Sequence, residues 1–509
     1  MNKTRKHRYS SFSSNKNKIY DFVVIGGGIG GLNVAYQILK RFPHCSLALF
    51  EKEKDLGGRV FTYSDQWMNV EAGAGRFNAE HSHFIQLIKE LGLYSRASKM
   101  NSSAVYAKAD GSGRFYNSIL DSGGLVQDYA KKDAVDIPKL GSLSPLSMYD
   151  SIQSITNAGL DIALGSDDIL PVVGILAKVI FAGSLDSKER LIRMTLLEYA
   201  STLLSKEEVS FMKDSFGYYS EINLMNAYDS IRLMRGLDPK NPFFGLKGGL
   251  SLVIDELEKR IMKFAGAKIF KGKPVKNLRY VRKNKENKEN KEKDDEEQFV
   301  FTYDNKNIFC KKCICALPKQ VIEDWTIFKP IRSMLRKIHC APLCRIYSRF
   351  EPYLSPSQKD ENGGKGVRES VWFKGLTKFT TNNNLRMVIP ISEKTGVIMI
   401  SYTDNIFATF WKKLLFRGGI RAVEDELIRL MKESTGIDIP RPKQTKVFYW
   451  DCGAGYWGVG ADSSAITEEI IQPFSNGLFI CGEHYSGTYQ QWMEGALETG
   501  DRVVQKLLL

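Results

Sequence analysis

The stretch that decides the fold is Asp21–Gly31, DFVVIGGGIGG. Its first residues, Asp21–Ile25, are mostly apolar and β-branched, which predicts a short buried parallel strand. The strand runs directly into Gly26-x-Gly28-x-x-Gly31, and residues 32–40 have the apolar spacing of a helix. A strand, three glycines at this spacing and a helix together predict a loop that binds the pyrophosphate of a dinucleotide.

Each position of this loop has a predicted role in binding. Gly26 permits the tight turn, Gly28 lets the backbone approach the pyrophosphate, and Gly31 lets the helix pack on the strand. Ile29 and Gly30 complete the loop, where the first N–H groups of the helix face the phosphates. An ordinary strand–turn–helix unit is the alternative, and the second strand argues against it.

That second strand is predicted at Leu47–Phe50 and ends at Glu51. An acid about 20 residues beyond the last glycine is the expected acceptor for the ribose hydroxyls. Lys52 follows directly and is predicted to share this edge of the site. Strand, glycine loop, helix, second strand and terminal acid therefore predict an α/β dinucleotide-binding unit.

The length of 509 residues predicts two or more domains, and the net charge is +14. Six of the excess positive charges lie in residues 1–18, a polar segment rich in serine and asparagine. It lacks the apolar core of a secretory signal and is predicted to be disordered. This basic tail is the only feature that suggests nucleic acid or an anionic surface, and a solvated tail is the preferred interpretation.

The longest apolar stretch, Ile169–Gly183, predicts a buried helix, because a membrane span needs about 20 residues. Eight cysteines without an export signal predict free thiols in a reducing, cytoplasmic compartment. The spacing Cys310-x-x-Cys313-x-Cys315 raises the alternative of a zinc site. These cysteines lie in an apolar strand pattern without a second ligand pair, so no metal is predicted.

The remaining chain suggests a domain built from separated segments. An apolar helix pattern follows Gly248, and two strand patterns flank a charged run at 282–297 that predicts a solvated loop. A hairpin is predicted at 387–391 and 397–402, a helix at 407–415, a buried strand at 477–481 and a final helix from about Trp492. We expect a nucleotide-binding domain from 19–100, 241–325 and 446–509, and a second domain from 101–240 and 326–445.

Three further motifs carry a family resemblance. They are LGGRV at Leu56–Val60, EAGAGRF at Glu71–Phe77, and LFICGEHYSGTYQQWMEGALETG at 478–500. Together they resemble the flavin-dependent amine oxidase superfamily of monoamine, polyamine and L-amino-acid oxidases, from about residue 19 to 506. The chain is also similar to amine-oxidase-like proteins of large DNA viruses. The resemblance implies a two-domain fold with a Rossmann-like FAD-binding domain and an α+β substrate domain.

The resemblance also implies which residues hold FAD. Gly58, Arg59 and Gly75 would line the cofactor, with Arg59 on the pyrophosphate; a surface salt bridge is the alternative for Arg59. The backbone of Val275 would contact the adenine, and Glu483, which follows Gly482, would bind the ribityl chain. The N–H of Met493 would meet the pyrimidine ring of the flavin. Cys452 lies too early for the thioether link of monoamine oxidases, so noncovalent FAD is expected.

The substrate site is implied by four positions. Trp492 would stand beside the flavin ring, and Tyr456 or Trp457 would face it, although core packing is the alternative for these aromatics. Arg76 matches an arginine that binds the substrate carboxylate in amino-acid oxidases, or one that serves the flavin side. Arg345 stands where the family usually has a lysine, and an arginine stays protonated, so it cannot act as a base.

The implied chemistry is removal of hydride from a carbon that bears an amine, with O2 as the final oxidant and H2O2 as product. The alternatives are a non-amine FAD oxidase or desaturase, and a retired flavoprotein with a structural or packaged role. The expected partners are an amine or amino acid and O2. No binding to a membrane or to nucleic acid is expected, and a homodimer is one of the possible assemblies. The expected location is the cytoplasm, or a virion for a viral protein.

Overall fold

We describe the protein from a computed structural model of the chain. The structure describes residues 19–100, 105–111, 115–117, 172–235, 242–283, 296–351, 353–354, 369–474 and 477–508. The basic tail at 1–18 and most of the charged run at 282–297 lie outside these residues, so the predictions made for them stay predictions.

The strands of the described residues form two large sheets and three small ones. They are β1 (Ile19–Ile25), β2 (Leu47–Phe50), β3 (Thr62–Ser64), β4 (Asn69–Glu71), β5 (Phe77–Asn78), β6 (Ala97–Lys99), β7 (Val105–Ala107), β8 (Phe115–Asn117), β9 (Phe243–Leu246), β10 (Ala267–Phe270), β11 (Lys276–Lys283), β12 (Glu296–Tyr303), β13 (Lys306–Cys315), β14 (Ile338–Arg349), β15 (Tyr353–Leu354), β16 (Glu369–Ser370), β17 (Phe379–Thr381), β18 (Met387–Ser392), β19 (Val397–Asp404), β20 (Gln444–Trp457) and β21 (Leu478–Ile480).

The α-helices lie on and between these sheets. They are α1 (Ile29–Arg41), α2 (Ser82–Glu90), α3 (Val172–Leu185), α4 (Lys188–Leu191), α5 (Leu196–Ser201), α6 (Lys206–Ser215), α7 (Tyr219–Asn223), α8 (Ala227–Arg235), α9 (Ser251–Ile261), α10 (Lys319–Asp324), α11 (Arg332–Leu335), α12 (Asn405–Thr435), α13 (Ser463–Ile471) and α14 (Met493–Lys506). Short 3-10 turns lie at Tyr94–Arg96, Thr326–Ile331 and Glu483–Tyr485. Within the described residues, no helix is both long and apolar enough to cross a membrane.

The first sheet collects strands from the start, middle and end of the chain. Its order is β10-β2-β1-β13-β12-β11, and β21 pairs with β13. The pairs of β1 with β2, of β1 with β13 and of β13 with β21 are parallel. The prediction that separated segments build one α/β unit is therefore confirmed.

Both faces of this sheet are buried, because β1 carries apolar side chains on each side. Val24 belongs to the cluster that includes helices α1, α9 and α14, whereas Val23 and Ile25 belong to the cluster on the opposite face. A parallel strand that is covered on both faces reads as a continuous apolar run. This explains why VVI in the sequence predicts the central strand.

The second sheet has the order β20-β14-β19-β18-β17-β7-β8. Strand β20 pairs antiparallel with β14 along almost its whole length, from Gln444 to Trp457. Residues 446–457 therefore lie in the second sheet, and the boundary predicted at 446 was placed too early. A half-buried strand has the same alternating pattern in either sheet, so the sequence did not distinguish them.

Several element predictions are confirmed with shifted bounds. The hairpin is β18 and β19, and the apolar stretch near 169–183 forms α3 from Val172 within the described residues. The helix predicted at 407–415 is the first part of α12, which continues to Thr435 past a non-helical Gly419. That glycine breaks the apolar periodicity, which is why the sequence predicted only the first turns.

Helix α14 is tied to helix α2, and this contact positions the candidate site. The Glu494 carboxylate accepts the backbone N–H groups of His83 and Phe84, at 2.9 Å each, in the first turn of α2. An acid at a helix start satisfies N–H groups that lack partners inside the helix. The start of α14 is therefore held beside the segment that carries Arg76 and His81.

Candidate flavin site

The glycine loop lies between the end of β1 and the start of α1. Gly26 has φ 110°, a conformation that residues with side chains rarely adopt. A Cβ on Gly31 would lie 2.0 Å from the Gly26 carbonyl oxygen, so close packing requires this glycine. A Cβ on Gly28 would have its nearest neighbour at 3.9 Å, the carbonyl oxygen of Gly57. The space above Gly28 is therefore open.

Ile29 and Gly30 stand at the start of α1, but they have different surroundings. Ile29 is the first helical residue and is buried in the core. A Cβ on Gly30 would lie 2.9 Å from the carbonyl oxygen of Ala496 in α14. Gly30 therefore allows two helices to approach, a role that the prediction of a cofactor contact did not include.

The acid at the end of β2 faces the loop. The Glu51 carboxylate accepts the backbone N–H of Gly27 at 2.7 Å and that of Glu53 at 3.0 Å. Each oxygen keeps a lone pair that a ribose hydroxyl can use. Lys52 follows Glu51 and is exposed, with its Nζ 3.3 Å from the Glu53 carboxylate. Val275, the residue predicted to contact the adenine, is half-buried against the core of the first sheet.

The LGGR segment lies directly against the glycine loop. The Gly57 N–H donates to the carbonyl oxygen of Gly27 at 2.8 Å, and Gly57 forms a parallel bridge with Gly28. A Cβ on Gly58 would lie 3.5 Å from the Cα of Gly28. The two glycine segments thus form one cradle, and Arg59 extends from it.

Arg59 reaches the acid that the resemblance assigns to the ribityl chain. Its Nη1 donates to Glu483 Oε2 at 2.7 Å and to the carbonyl oxygen of Gly453 at 3.0 Å. The other oxygen of Glu483 accepts the N–H groups of Gly455 and Gln491, at 2.9 and 2.6 Å. Burial acts to raise the pKa of Glu483, but Arg59, His484 and these N–H groups together hold it below its usual value.

Two features prepare the start of α14 for a ligand. Gly482 has φ 144°, which lets the chain turn from β21 into the segment that leads to the helix. Met493 is the first residue of α14, and the first N–H groups of a helix have no acceptor inside it. They also carry the positive end of the helix dipole, which favours negative charge on a bound ring.

Trp492 immediately precedes this helix and is packed on the side of Arg76. Its ring stacks on Phe243 at 5.6 Å with an interplanar angle of 12°, and it meets His81 edge-on at 4.9 Å. The Arg76 guanidinium lies 4.0 Å from the centre of the Phe243 ring and 5.6 Å from that of Trp492. The structure thus brings Trp492 and Arg76 together, in an arrangement that the attraction of a cation to an aromatic ring stabilises.

Arg76 has no acidic partner in the part of the chain that the structure describes. Its Nη2 donates to the Tyr218 hydroxyl at 3.4 Å, and within the described residues no carboxylate lies within ion-pair distance of it. Burial, together with the positive charge of Arg76, lowers the pKa of His81 to about 3, so His81 is neutral. The guanidinium therefore keeps donors available for an anionic group of a ligand.

Arg345 on β14 is half-buried next to the segment that carries Arg76. Its Nη1 donates to the carbonyl oxygen of Glu71 at 2.7 Å, and its guanidinium lies 4.6 Å from the centre of the Tyr402 ring. A Cβ on Gly75 would lie 3.1 Å from the same Nη1, so Gly75 makes room for Arg345. Burial opposes the charge of Arg345, but the Tyr402 and Tyr347 hydroxyls raise its pKa.

The structure separates the two alternatives for the second aromatic residue. The Trp457 side chain lies in the core of the first sheet, where its indole N–H donates to the carbonyl oxygen of Ser486 at 2.8 Å. Tyr456 points to the opposite side of β20, next to Met225. Its ring makes no contact with Trp492 among the described residues, and the prediction that two such rings face each other across a slot stays a prediction.

Two ionisable residues near Arg76 were not predicted from the sequence. Burial and the charge of Arg76 lower the pKa of Lys378 to about 7. Burial and the charge of Asp404 raise the pKa of Glu221 to about 8, and Glu221 Oε2 has no hydrogen-bond partner among the described residues. Neither residue belongs to one of the motifs that carry the family resemblance, so no signal in the sequence marks either of them.

A group of two cysteines and a histidine was also missed. Cys340 and Cys452 form a disulfide, so the prediction of free thiols is wrong for this pair, although the other six cysteines are free. The two cysteines are 112 positions apart, and only the pairing of β14 with β20 brings them together. Among the described residues, they form with His484 the one group that has the donor atoms of a metal site.

The cradle fits FAD by its own geometry. The open space above Gly28 and beside Gly58 suits a pyrophosphate, and the buried Glu51 suits a ribose. Arg59 and Glu483 continue the same cleft towards the start of α14, which suits the ribityl chain and the ring. A dinucleotide placed on the glycine loop would therefore extend to Met493 and Trp492.

Comparison with known proteins agrees with this geometry. Prenylcysteine oxidase 1 of Rattus norvegicus is 26% identical over 220 residues, which are 39% of this chain and 38% of that protein. The first curated relatives are matched over only 17 to 38% of their own length.

Two solved structures have the same fold over nearly the whole chain. Putrescine oxidase bound to putrescine is 13% identical with a TM-score of 0.63, covering 96% of this chain and 99% of that chain. Cyclohexylamine oxidase from Brevibacterium oxydans is 13% identical with a TM-score of 0.62, covering 97 and 100%. The model of the flavin-containing amine oxidoreductases matches residues 29–508, and the chain belongs to this family.

Proposed function

We propose that this protein is an FAD-dependent oxidase of amines that also carry a carboxylate, with an amino acid as the simplest case. The single observation that supports a carboxylate is Arg76, whose guanidinium lies beside Trp492 and has no acidic partner among the described residues. A half-buried guanidinium without a partner is well suited to a bidentate carboxylate. FAD, when bound, would take a hydride from the carbon that bears the amine and pass the electrons to O2.

The aromatic residues around Arg76 support this orientation. Phe243 and Trp492 form a stacked wall at 5.6 Å, which excludes water from one side of the substrate. With its carboxylate on Arg76, a substrate would place its apolar side chain against this wall. The reacting carbon would then lie near Trp492, the residue that immediately precedes the first turn of α14.

Lys378 supplies a group that can take up the proton of the substrate ammonium. An amine loses hydride readily only when it is neutral, so a base must hold its proton. Burial first, and then the charge of Arg76, lowers the pKa of Lys378 to about 7, which allows it to be neutral near physiological pH. Arg345 cannot take this role, but its Nη1 fixes the Glu71 carbonyl beside the same segment.

A second candidate follows from the similarity to prenylcysteine oxidase 1. Prenylcysteine is a thioether that carries an α-amino and an α-carboxyl group, so Arg76 would bind either type of substrate by the same contact. The difference lies in the bond that is oxidised, which is C–N in an amino acid and C–S in a thioether.

Anaerobic titration of the FAD-loaded protein with matched pairs tests both candidates. Each pair contains an amino acid and the amine that lacks its carboxylate, such as phenylalanine with phenethylamine, and prenylcysteine is added separately. Bleaching of the flavin bands by the acid of a pair supports our proposal. Bleaching by the amine alone assigns an amine oxidase without carboxylate recognition, and bleaching by prenylcysteine alone assigns thioether oxidation.

The location and the oligomeric state of the protein are also proposed. Six free cysteines support a cytoplasmic location, in which thiols remain reduced. A homodimer and packaging into a virion rest on the family and viral resemblance alone. Light scattering of the purified protein tests the first, and fractionation of infected and uninfected host cells tests the second.

A further inference from the structure

The disulfide between Cys340 and Cys452 lies against residues of the flavin cleft. His484 Nε2 lies 3.5 Å from Cys452 Sγ and 4.0 Å from Cys340 Sγ. The same nitrogen lies 3.1 Å from Arg59 Nη1 and 3.3 Å from Glu483 Oε2. One imidazole therefore contacts both sulfur atoms and the two side chains that line the cleft.

The disulfide adds little to the pairing of the strands that it joins. Strands β14 and β20 are already hydrogen-bonded from Ile338–Trp457 at one end to Arg349–Gln444 at the other. Cys340 pairs with Gly455, whose N–H binds Glu483, and Cys452 lies at the irregularity in the strand pairing. Both cysteines are half-buried, whereas five of the six free cysteines are buried. The bridge is thus partly accessible to solvent, and it adjoins the side chain of His484 that contacts Arg59 and Glu483.

The surroundings favour a thiolate when the bridge is open. The backbone N–H of Lys319 donates to His484 Nδ1 at 3.0 Å, so the proton of the neutral imidazole lies on Nε2. That N–H faces Cys452 Sγ and can donate to a thiolate there. The Arg59 guanidinium beside it is paired with the Glu483 carboxylate, so the N–H of His484 is the donor that would stabilise the thiolate and make it reactive.

We propose that Cys340 and Cys452 are a redox-active pair that exchanges two electrons with FAD, so that external thiols are a second class of electron donor. An external dithiol would open the bridge by thiol–disulfide exchange and leave two protein thiols. These thiols would pass two electrons and two protons to FAD, re-form the S–S bond and leave FADH2. O2 would then take the electrons and protons as H2O2. This proposal does not depend on the substrate proposed above.

The first test uses the wild-type holoprotein alone. Denatured without reductant, it should show six reactive thiols, and after full reduction it should show all eight. When FAD is reduced anaerobically with dithionite and the protein is then alkylated, label should appear on Cys340 and Cys452. Eight thiols in the oxidised protein, or no label at these positions while FAD is reduced, would overturn the proposal.

The second test compares variants under anaerobic dithiothreitol. Flavin bleaching should be at least about tenfold slower in C340S, C452S and the double variant than in wild type, because the relay thiols are missing. Cys45→Ser changes a half-buried free cysteine elsewhere and should bleach at the wild-type rate. A lower Tm with unchanged bleaching in the double variant would assign a purely structural bridge. Stoichiometric zinc in the purified protein would assign a metal site instead.

Discussion

The Arg59 guanidinium and the Glu483 carboxylate, 424 positions apart in the chain, meet at 2.7 Å inside the flavin cleft. Arg59 follows the second strand of the first sheet, and Glu483 follows its last strand. Both segments are brought together because β2, β1, β13 and β21 lie side by side. The contact thus joins the segment beside the glycine loop to the segment that leads into α14.

We expect Arg59→Gln to destabilise the apoprotein at neutral pH by about 3 kcal/mol, at the lower end of the range for a broken buried pair, since it leaves a buried carboxylate without its cation. Arg59 holds the pKa of Glu483 below its unfolded value, so the pair stabilises the fold above the unfolded pKa. That contribution is lost as the pH falls through the folded pKa. Urea titration of the apoprotein at a series of pH values, from neutral into acid, measures it.

The matched control for this prediction is Lys271→Gln, which breaks the more exposed Lys271–Glu258 pair at 2.9 Å. An exposed pair contributes about 0 to 1 kcal/mol, so this variant should stay close to wild type. Equal losses in the two variants, or a loss in Arg59→Gln that does not diminish in acid, would contradict the account of Glu483.

Gly28→Val and Gly31→Ala should separate cofactor binding from folding. A side chain on Gly28 would enter open space, so the variant should fold with a Tm near that of wild-type apoprotein and bind FAD at least about 100-fold more weakly. A Cβ on Gly31 would lie 2.0 Å from a carbonyl oxygen, so that variant should lose stability itself. FAD fluorescence titration and thermal melts of the apoproteins distinguish these outcomes; a melt of Gly28→Val far below wild type would be evidence against the open cradle.

The sequence was sufficient to predict the parts of the fold that follow local rules. A continuous apolar run is typical of a buried parallel strand, and it predicts the strands Leu47–Phe50 and Leu478–Ile480. The glycine spacing predicts the turn between β1 and α1 in the same way. The position of β20 could not be predicted, because its partner strand lies about a hundred positions earlier and an alternating strand fits either sheet. The pairing of strands that are far apart in the chain depends on tertiary contacts, which a local sequence pattern does not indicate.

The same limit applies to the site. Arg59, Glu483 and Trp492 lie in motifs, and the structure brings them to one cleft. Lys378 and Glu221 are single polar residues in unremarkable segments, and only burial gives them their altered pKa values. The disulfide could not be predicted from the sequence, because its two cysteines are 112 positions apart and only the pairing of β14 with β20 brings them together. Trp457 shows that neighbouring residues of one strand cannot both face a site.

Arg76→Lys should change substrate preference more than overall activity. Lysine keeps the positive charge but lacks the planar fork that binds a carboxylate with two hydrogen bonds. We expect kcat/KM to fall at least about tenfold for an amino acid and to change little for the amine that lacks its carboxylate. Stopped-flow reduction of the flavin with both members of a pair measures this ratio. Equal losses for the two substrates would assign Arg76 to the flavin side instead.

Lys378→Met should alter the pH dependence of both stability and activity. Burial lowers the pKa of Lys378 to about 7, whereas the unfolded chain has a lysine pKa of about 10.4. Between these values the unfolded state binds more protons, so wild-type stability should rise with pH through this window. Below about pH 7 both states are protonated and the full cost of the buried charge is present, since one pKa unit corresponds to about 1.4 kcal/mol. The variant should therefore be more stable than wild type in mild acid, by about 2 kcal/mol or more, and its stability should be flatter above pH 7.

The exposed Lys374, four positions earlier, provides the matched control, because Lys374→Met removes a lysine without changing a buried charge. It should keep the wild-type slope of stability with pH. In the flavin reduction assay, the limb of kcat/KM near pH 7 should disappear in Lys378→Met and persist in Lys374→Met. If Lys378→Met loses the stability slope but keeps that limb, the buried lysine is not the base that accepts the substrate proton. A slope that persists in Lys378→Met would show that Lys378 does not carry the lowered pKa at all.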